Sequence, residues 1–215
     1  MPIRILLADD HVLFRRGLRR ILEEEPEFEI VAETGSGIEA VELARRLQPD
    51  VAVLDIAMKE LNGVEATRQT LRHSPSTAVM ILSMHSDERY VIRSVKAGAR
   101  GYVLKDSVEE GLIRAIHLLH KGQAFFSPAV ARIFQERFVG GPAFREVDDR
   151  YEMLTERERQ IYHLLAEGHS SKEIATRLGI SVHTAETHRT HIMEKLGLHG
   201  IAELVLSAVR RGLIS

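Results

Sequence analysis

In the first half of the chain, short unbroken apolar runs alternate with stretches whose apolar residues recur every third or fourth position. Ile3–Ala8 is apolar but for Arg4, and Leu13, Leu18, Ile21 and Leu22 follow at helical spacing. Residues 30–32 read as a short strand near a sheet edge. Ala40, Val41, Leu43, Ala44 and Leu47 mark a helix that stops before Pro49. Residues 51–54 read as a buried strand, followed by helix 64–71, strand 79–82, helix 90–97, strand 102–104 and a helix that contains 112–119. Strands apolar at every position are covered on both faces. The alternation therefore predicts a five-stranded, doubly wound parallel sheet of the α/β class.

The pattern changes after residue 122. Residues 123–150 lose the alternation and carry Gly140, Gly141 and Pro142, then Asp148, Asp149 and Arg150, which reads as a linker, helical over 129–138. From Leu154 onward the periodicity is purely helical, and Gly168, Gly179 and Gly197 mark helix ends. The expected organisation is a domain at 1–122, a partly helical linker at 123–150 and a small all-α domain at 151–215. The total of 215 residues lies between one and two domains of roughly 150 residues each.

Composition narrows the chemistry. There is no cysteine, which excludes disulfides, thiolate metal sites and cysteine nucleophiles. No apolar run reaches the ~18 residues of a membrane span, and the run from Ile3 leaves no room for a secretory leader ahead of it; a cytoplasmic protein is the expectation. The net charge is -2. Residues 1–122 hold 17 Lys and Arg against 19 Asp and Glu, and residues 151–215 hold 8 of each. Any polyanion partner must then be recognised by local arrangement and not by bulk charge.

In an open parallel sheet, functional groups gather beyond the carboxyl ends of the strands. Asp9 and Asp10 follow the first strand, Asp55 ends the third, Ser83 ends the fourth and Lys105 follows the fifth. Alone, each aspartate reads as a helix cap or turn residue. Together they form a functional constellation. Two carboxylates ~4 Å apart repel by about 4 kcal/mol at an effective dielectric near 20, so the cluster calls for compensation. A hard divalent cation supplies it, and an adjacent ammonium can hold a further anion. The set suits an aspartate that accepts a phosphoryl group.

Residues 1–122 resemble the CheY-like receiver domain of two-component response regulators. The resemblance rests on the pair Asp9-Asp10, VAVLDIAM around Asp55, Gly63, LSMHS with Ser83, and AGARGYVLKD with Tyr102 and Lys105. It implies a flavodoxin-like fold with Asp55 as phosphoacceptor. It also implies Mg²⁺ (or Mn²⁺) bound by Asp10, Asp55 and the backbone carbonyl of Ala57, with Asp9 helping through metal-bound water. Lys105 is then the contact to the phosphoryl oxygens, and Ser83 with Tyr102 the switch pair. Lys59 and Asp106 stand where many receivers have proline; the first bears on loop rigidity and the second on the Lys105–Asp106 peptide.

In the C-terminal segment, Thr155 and Glu158 form a capping box. Ser171 is expected to cap the next helix and Ser181 the third, Val182–Leu196, on which Ala185, His188, Ile192 and Leu196 share a face. Two helices joined by a ~3–4 residue turn are a helix-turn-helix signature, and the second enters the major groove. His183 and His188 are five apart and His188 and His191 three apart; the second pair can share a face but has no third converging ligand for a metal, and His188 reads as a packing residue. The stretch from Leu154 to Ile214 resembles a LuxR-type helix-turn-helix domain. The resemblance turns Thr184, Glu186, Thr187, Arg189, Thr190 and Lys195 toward DNA, with Lys172 on the preceding helix. The final helix, 201–211, reads equally as the dimer contact of that family and as a cap on the core.

Together the halves are similar to the NarL/FixJ subfamily of response regulators. The implied partners are a sensor histidine kinase, double-stranded promoter DNA and a second copy of the chain when phosphorylated. Aspartyl-phosphate hydrolases of the haloacid dehalogenase type share the nucleophile after a strand. They need a second acid two residues on, where this chain has Ala57, so turnover of external substrates is not expected. A regulator that keeps the receiver fold but works without phosphorylation is the other alternative.

Overall fold

The computed structural model describes residues 1–84, 87–139, 149–210 and Leu213. The chain forms two compact units, Met1–Gly140 and Gly141–Ser215. Gly140, Gly141, Pro142 and Asp148 of the predicted linker lie outside the described residues, as does Arg211.

The first unit contains β1 (Ile3–Ala8), α1 (Val12–Glu23), β2 (Phe28–Thr34), α2 (Gly37–Leu47), β3 (Val51–Asp55), α3 (Gly63–His73), β4 (Ala78–Ser83), α4 (Glu88–Lys96), β5 (Gly101–Leu104), α5 (Val108–His120), β6 (Phe125–Phe126) and α6 (Pro128–Val139). The strands are all parallel, in the order β2-β1-β3-β4-β5-β6. Each unbroken apolar strand is two alternating sets of residues. Ile5, Leu7, Val51, Val53, Met80, Leu82 and Val103 pack on Leu18 and Leu22 of α1 and on Leu112, Ala115 and Ile116 of α5. Their neighbours Leu6, Ala8, Ala52, Leu54, Val79 and Ile81 pack on the other face with Ala40 and Val41 of α2, Val64 of α3 and Val91 of α4. Side chains alternate across a strand, so every position is apolar because both faces are covered.

Two strands differ from the sequence expectation. β2 extends well beyond residues 30–32, and its middle is half-buried because it is the sheet edge. The sheet has six strands rather than five. Phe125 and Phe126 pair with Gly101 and Tyr102, and Ser127 N donates to the Tyr102 carbonyl at 3.0 Å. They satisfy the open edge of β5, but a strand of two residues carries no periodicity to read. Val130 of α6 is buried in the same cluster as Tyr102.

Order reverses at β1, with β2 on one side and β3 on the other, and the carboxyl ends of β1 and β3 frame a crevice. Behind it the β3–α3 turn is tight. Gly63 N donates to the Ile56 carbonyl at 3.0 Å, and a Cβ on Gly63 would lie 2.3 Å from the Asp55 carbonyl oxygen.

The second unit holds α7 (Glu156–Ala166), α8 (Ser171–Leu178), α9 (Val182–Leu196) and α10 (Ile201–Arg210). Its core includes Leu154, Ile161, Leu165, Ile174, Ala185, Ile192, Leu196 and Leu204. Thr155 and Glu158 form the expected capping box, and Ser181 caps α9. The cap of α8 is Ser170 and not Ser171, because the reciprocal partner Glu173 stands three residues after Ser170. Gly168, Gly179 and Gly197 all adopt positive φ at helix ends. Among the described residues no helix is long and apolar enough to cross a membrane.

On α7, His163 is buried, and neither ring nitrogen has a hydrogen-bond partner among the described residues. Burial lowers its pKa from 6.5 to about 4.

Gly63→Ala is expected to destabilise the first unit by about 1–3 kcal/mol, read as a lower urea midpoint, because the added methyl meets backbone. His163 is neutral when folded and protonates more readily when unfolded. Its contribution to stability is full above pH 6.5, falls by up to about 1.4 kcal/mol per pH unit down to pH 4, and is flat below. The difference in urea stability between wild type and His163→Gln, measured from pH 7 to pH 4, should follow that slope.

Candidate phosphoacceptor pocket and helix-turn-helix face

β1 and β3 deliver the carboxylates to the crevice. Asp9 is fully buried, Asp55 is 2% exposed, and Asp10 lies at the rim. Lys105, just past β5, reaches back with its side chain 3% exposed. Its Nζ lies 2.7 Å from Asp9 Oδ2 and 3.0 Å from Asp55 Oδ1, and 4.7 Å from the centre of the Phe14 ring. Arg15 donates through Nη1 to the Asp9 main-chain carbonyl. Burial first, and then the Asp9 charge, push the Asp55 carboxyl above its usual range, and Lys105 opposes them. Asp55 Oδ2 has no hydrogen-bond partner among the described residues.

Three carboxylates face one ammonium, which leaves the pocket short of positive charge. Ligand atoms of Asp9, Asp10, His11 and Asp55 lie within 4.8 Å of one another. This donor set and the orphaned Asp55 oxygen fit a divalent cation.

Ser83 and Tyr102, on neighbouring strands, are both fully buried and share a hydrogen bond; burial raises the Tyr102 pKa. In the helical unit, α8 and α9 are joined by Gly179, Ile180 and Ser181. The outer face of α9 exposes Glu186, Thr187, Arg189 and Thr190.

Residues 5–117 match the response regulator receiver domain family, and residues 152–208 match the bacterial regulatory proteins of the luxR family. The chain is 35% identical over 215 residues to the oxygen regulatory protein NreC of Staphylococcus carnosus (strain TM300), covering 99% of both chains. It is 38% identical over 212 residues to the nitrate/nitrite response regulator protein NarP of Escherichia coli (strain K12), covering 98% of this chain and 97% of that one. The response regulator RcsB in complex with DNA superposes with a TM-score of 0.59 at 25% identity, covering 97% of this chain and 98% of that one.

The chain belongs to the NarL/FixJ response regulators. It is a transcriptional regulator of the two-component class, with a receiver ahead of a LuxR-type helix-turn-helix domain.

In this response regulator Asp9, Asp10, Asp55 and Lys105 converge, and Ser83 and Tyr102 are buried on the neighbouring strands β4 and β5. Ala57 lies exposed in the turn after β3. The Lys105–Asp106 peptide is trans. On the helical side Lys172 is exposed and Thr184 is half-buried, its Oγ1 2.7 Å from Ser181 Oγ. Thr187 and Thr190 return their hydroxyls to the carbonyls of His183 and Glu186. Lys195 Nζ sits 2.6 and 2.8 Å from the two carboxylate oxygens of Glu158, so its ammonium braces α9 against α7.

Sequence reasoning missed His11, Phe14 and Arg15. His11 Nδ1 lies 2.9 Å from Asp10 Oδ1 and 3.3 Å from Asp9 Oδ1. The available signal was its place directly after the acidic pair, at the N-cap of α1, where imidazole is an uncommon choice.

Because the ionised Asp55 is disfavoured in the folded state, Asp55→Asn should raise the thermal midpoint of the metal-free protein at pH 7 by a few degrees. The gain should shrink as the pH falls from 7 toward the ordinary carboxylate range and wild-type Asp55 takes up its proton before the unfolded chain does, a trend a series of calorimetric scans can follow.

Proposed function

We propose that the receiver, residues 1–122, accepts a phosphoryl group on Asp55 from a sensor histidine kinase, and that this controls promoter binding by residues 151–215 through the linker at 123–150. An Asp55 carboxylate oxygen attacks the phosphorus of the phosphohistidine; the P–O bond forms as the P–N bond breaks, and the imidazole leaves. Asp10, Asp55 and the Ala57 carbonyl are the residues to hold Mg²⁺ or Mn²⁺, with Asp9 acting through water. When bound, the cation neutralises charge on the transferred group. Lys105 supplies the protein's own positive charge to the same oxygens. The carrying observation is the Lys105 ammonium between Asp9 and Asp55 in a buried crevice.

The phosphorylated side chain offers new acceptor oxygens to Ser83, whose hydroxyl is shared with Tyr102 in the present state. Moving that hydroxyl changes the partners of a buried tyrosine, which makes this pair the first element to respond. In the helical domain Lys172, Thr184, Glu186, Thr187, Arg189 and Thr190 form the face toward the major groove, and Lys195 serves it indirectly through Glu158. Glu186 suits a cytosine amino group. The RcsB–DNA complex supports DNA as the ligand. With 8 basic and 8 acidic residues in 151–215, one domain gains little from bulk charge, so a homodimer on paired half-sites is the functional form. No turnover of external substrates follows from this chemistry, and a cytoplasmic location fits a promoter-binding regulator.

Incubation with a radiolabelled small-molecule phosphodonor and Mg²⁺ should label wild type in an acid-stable, base-labile linkage and leave Asp55→Asn unlabelled. Equal uptake by Asp55→Asn would reject the assignment.

A further inference from the structure

His11 occupies the N-cap of α1, yet its side chain makes no cap hydrogen bond. N-caps favour Ser, Thr, Asp and Asn because a short side-chain oxygen reaches the free N–H groups of the first turn. The imidazole forgoes that role and turns to the pocket. Its Nδ1 lies 2.9 Å from Asp10 Oδ1, 3.3 Å from Asp9 Oδ1 and 3.8 Å from Asp55 Oδ2. Around a small cation with ligands at about 2.1 Å, adjacent octahedral donors stand about 3 Å apart and opposite ones about 4.2 Å. The 2.9 Å spacing from Nδ1 to Asp10 Oδ1 matches adjacent donors, and the 3.3 and 3.8 Å spacings to Asp9 and Asp55 are brought to those values by movement of the ring. The orphaned, buried Oδ2 of Asp55 points independently to a ligand at the same place. The His11 side chain is 63% exposed, so it can adjust to an arriving ion without disturbing the core.

We propose that His11 is a nitrogen ligand of this pocket, and that it shifts the choice of divalent cation from Mg²⁺ toward d-block ions such as Mn²⁺. The inference rests on the reading of the crevice as a cation site and adds a donor to it. Mg²⁺ is a hard ion that takes oxygen ligands and keeps its waters, whereas imidazole nitrogen suits Fe²⁺, Ni²⁺ and Zn²⁺; Mn²⁺ stands at the weak end of that series and is therefore the stringent probe of a nitrogen donor. An oxygen-only site needs nothing at position 11. The His11 main-chain N–H donates to Asp9 Oδ1 at 2.8 Å, which pins the backbone beside the pocket and leaves the ring within reach of all three carboxylates.

The test is calorimetric titration of the full-length protein with Mg²⁺ and with Mn²⁺, for wild type, His11→Ala, His11→Gln and Asp55→Asn. Pulsed electron paramagnetic resonance of the Mn²⁺ complexes reports directly on nitrogen coordination. The expected result is a loss of Mn²⁺ affinity of roughly tenfold or more in both His11 variants and a change in Mg²⁺ affinity below about twofold. Nitrogen modulation should appear in the wild-type Mn²⁺ spectrum and vanish in His11→Ala. Cation binding that depends on Asp55 but shows no nitrogen coupling, or that falls equally for both ions in the His11 variants, overturns the role of His11 and leaves the pocket reading standing. Absence of any Asp55-dependent cation binding overturns both. Thermal midpoints of the metal-free variants establish that each is folded.

Discussion

The Lys105 ammonium held between Asp9 and Asp55 is the interaction on which the receiver's chemistry depends. Burying an ion costs several kcal/mol unless its partners are close and well placed. At 2.7 and 3.0 Å they are. The balance is nevertheless incomplete, since Asp10 adds a third carboxylate and Asp55 Oδ2 has no hydrogen-bond partner among the described residues. A pocket left short of positive charge is stabilised by a cation and responds to one. The sheet order serves this arrangement: the strand order reverses at β1, and there the ends of β1 and β3 open a crevice for these side chains. Gly63 follows it too, because the turn that carries Asp55 has no space for a methyl group.

Much of this was legible in the sequence, for identifiable reasons. Val51–Asp55 and Ala78–Ser83 stand out as strands because helices cover both faces, so no polar position interrupts them. The pocket aspartates and Lys105 were legible because strand ends of a parallel sheet share one edge. Phe125–Phe126 was not, since its pairing is decided by the free edge of β5 and not by its own pattern. Phe14 reads along the chain as one more apolar position of α1, and its contact with the Lys105 ammonium arises only when β5 is folded alongside. Ser170 and Ser171 compete as caps, and the spacing to Glu173 decides for Ser170. Lys195 meets Glu158 across 37 positions, a distance at which no helical periodicity carries information.

The two units treat charge in opposite ways, and that difference bears on how the regulator works. In the receiver, like charges are gathered and left to be resolved by what binds. In the helical unit, the burial of Glu158 is answered internally: its carboxylate accepts from Thr155 N and from Lys195 Nζ, and these hydrogen bonds hold its pKa below the usual range against the effect of burial. The same carboxylate caps α7 and anchors the far end of α9. The orientation of the proposed recognition helix is thus set by the fold and needs no ligand to order it.

A pre-set recognition helix with no excess of positive charge cannot be regulated by ordering or by bulk attraction. What remains variable is how many such helices are presented and at what spacing, because paired half-sites are read only by paired domains. On the proposed reading the receiver acts on pairing, and Tyr102 is placed to carry a change in the Ser83 hydroxyl outward. Its side chain shares a hydrogen bond with Ser83, while its carbonyl accepts from Ser127 at the start of α6. One residue of β5 thus joins the Ser83 hydroxyl, through its side chain, to the start of α6, through its carbonyl.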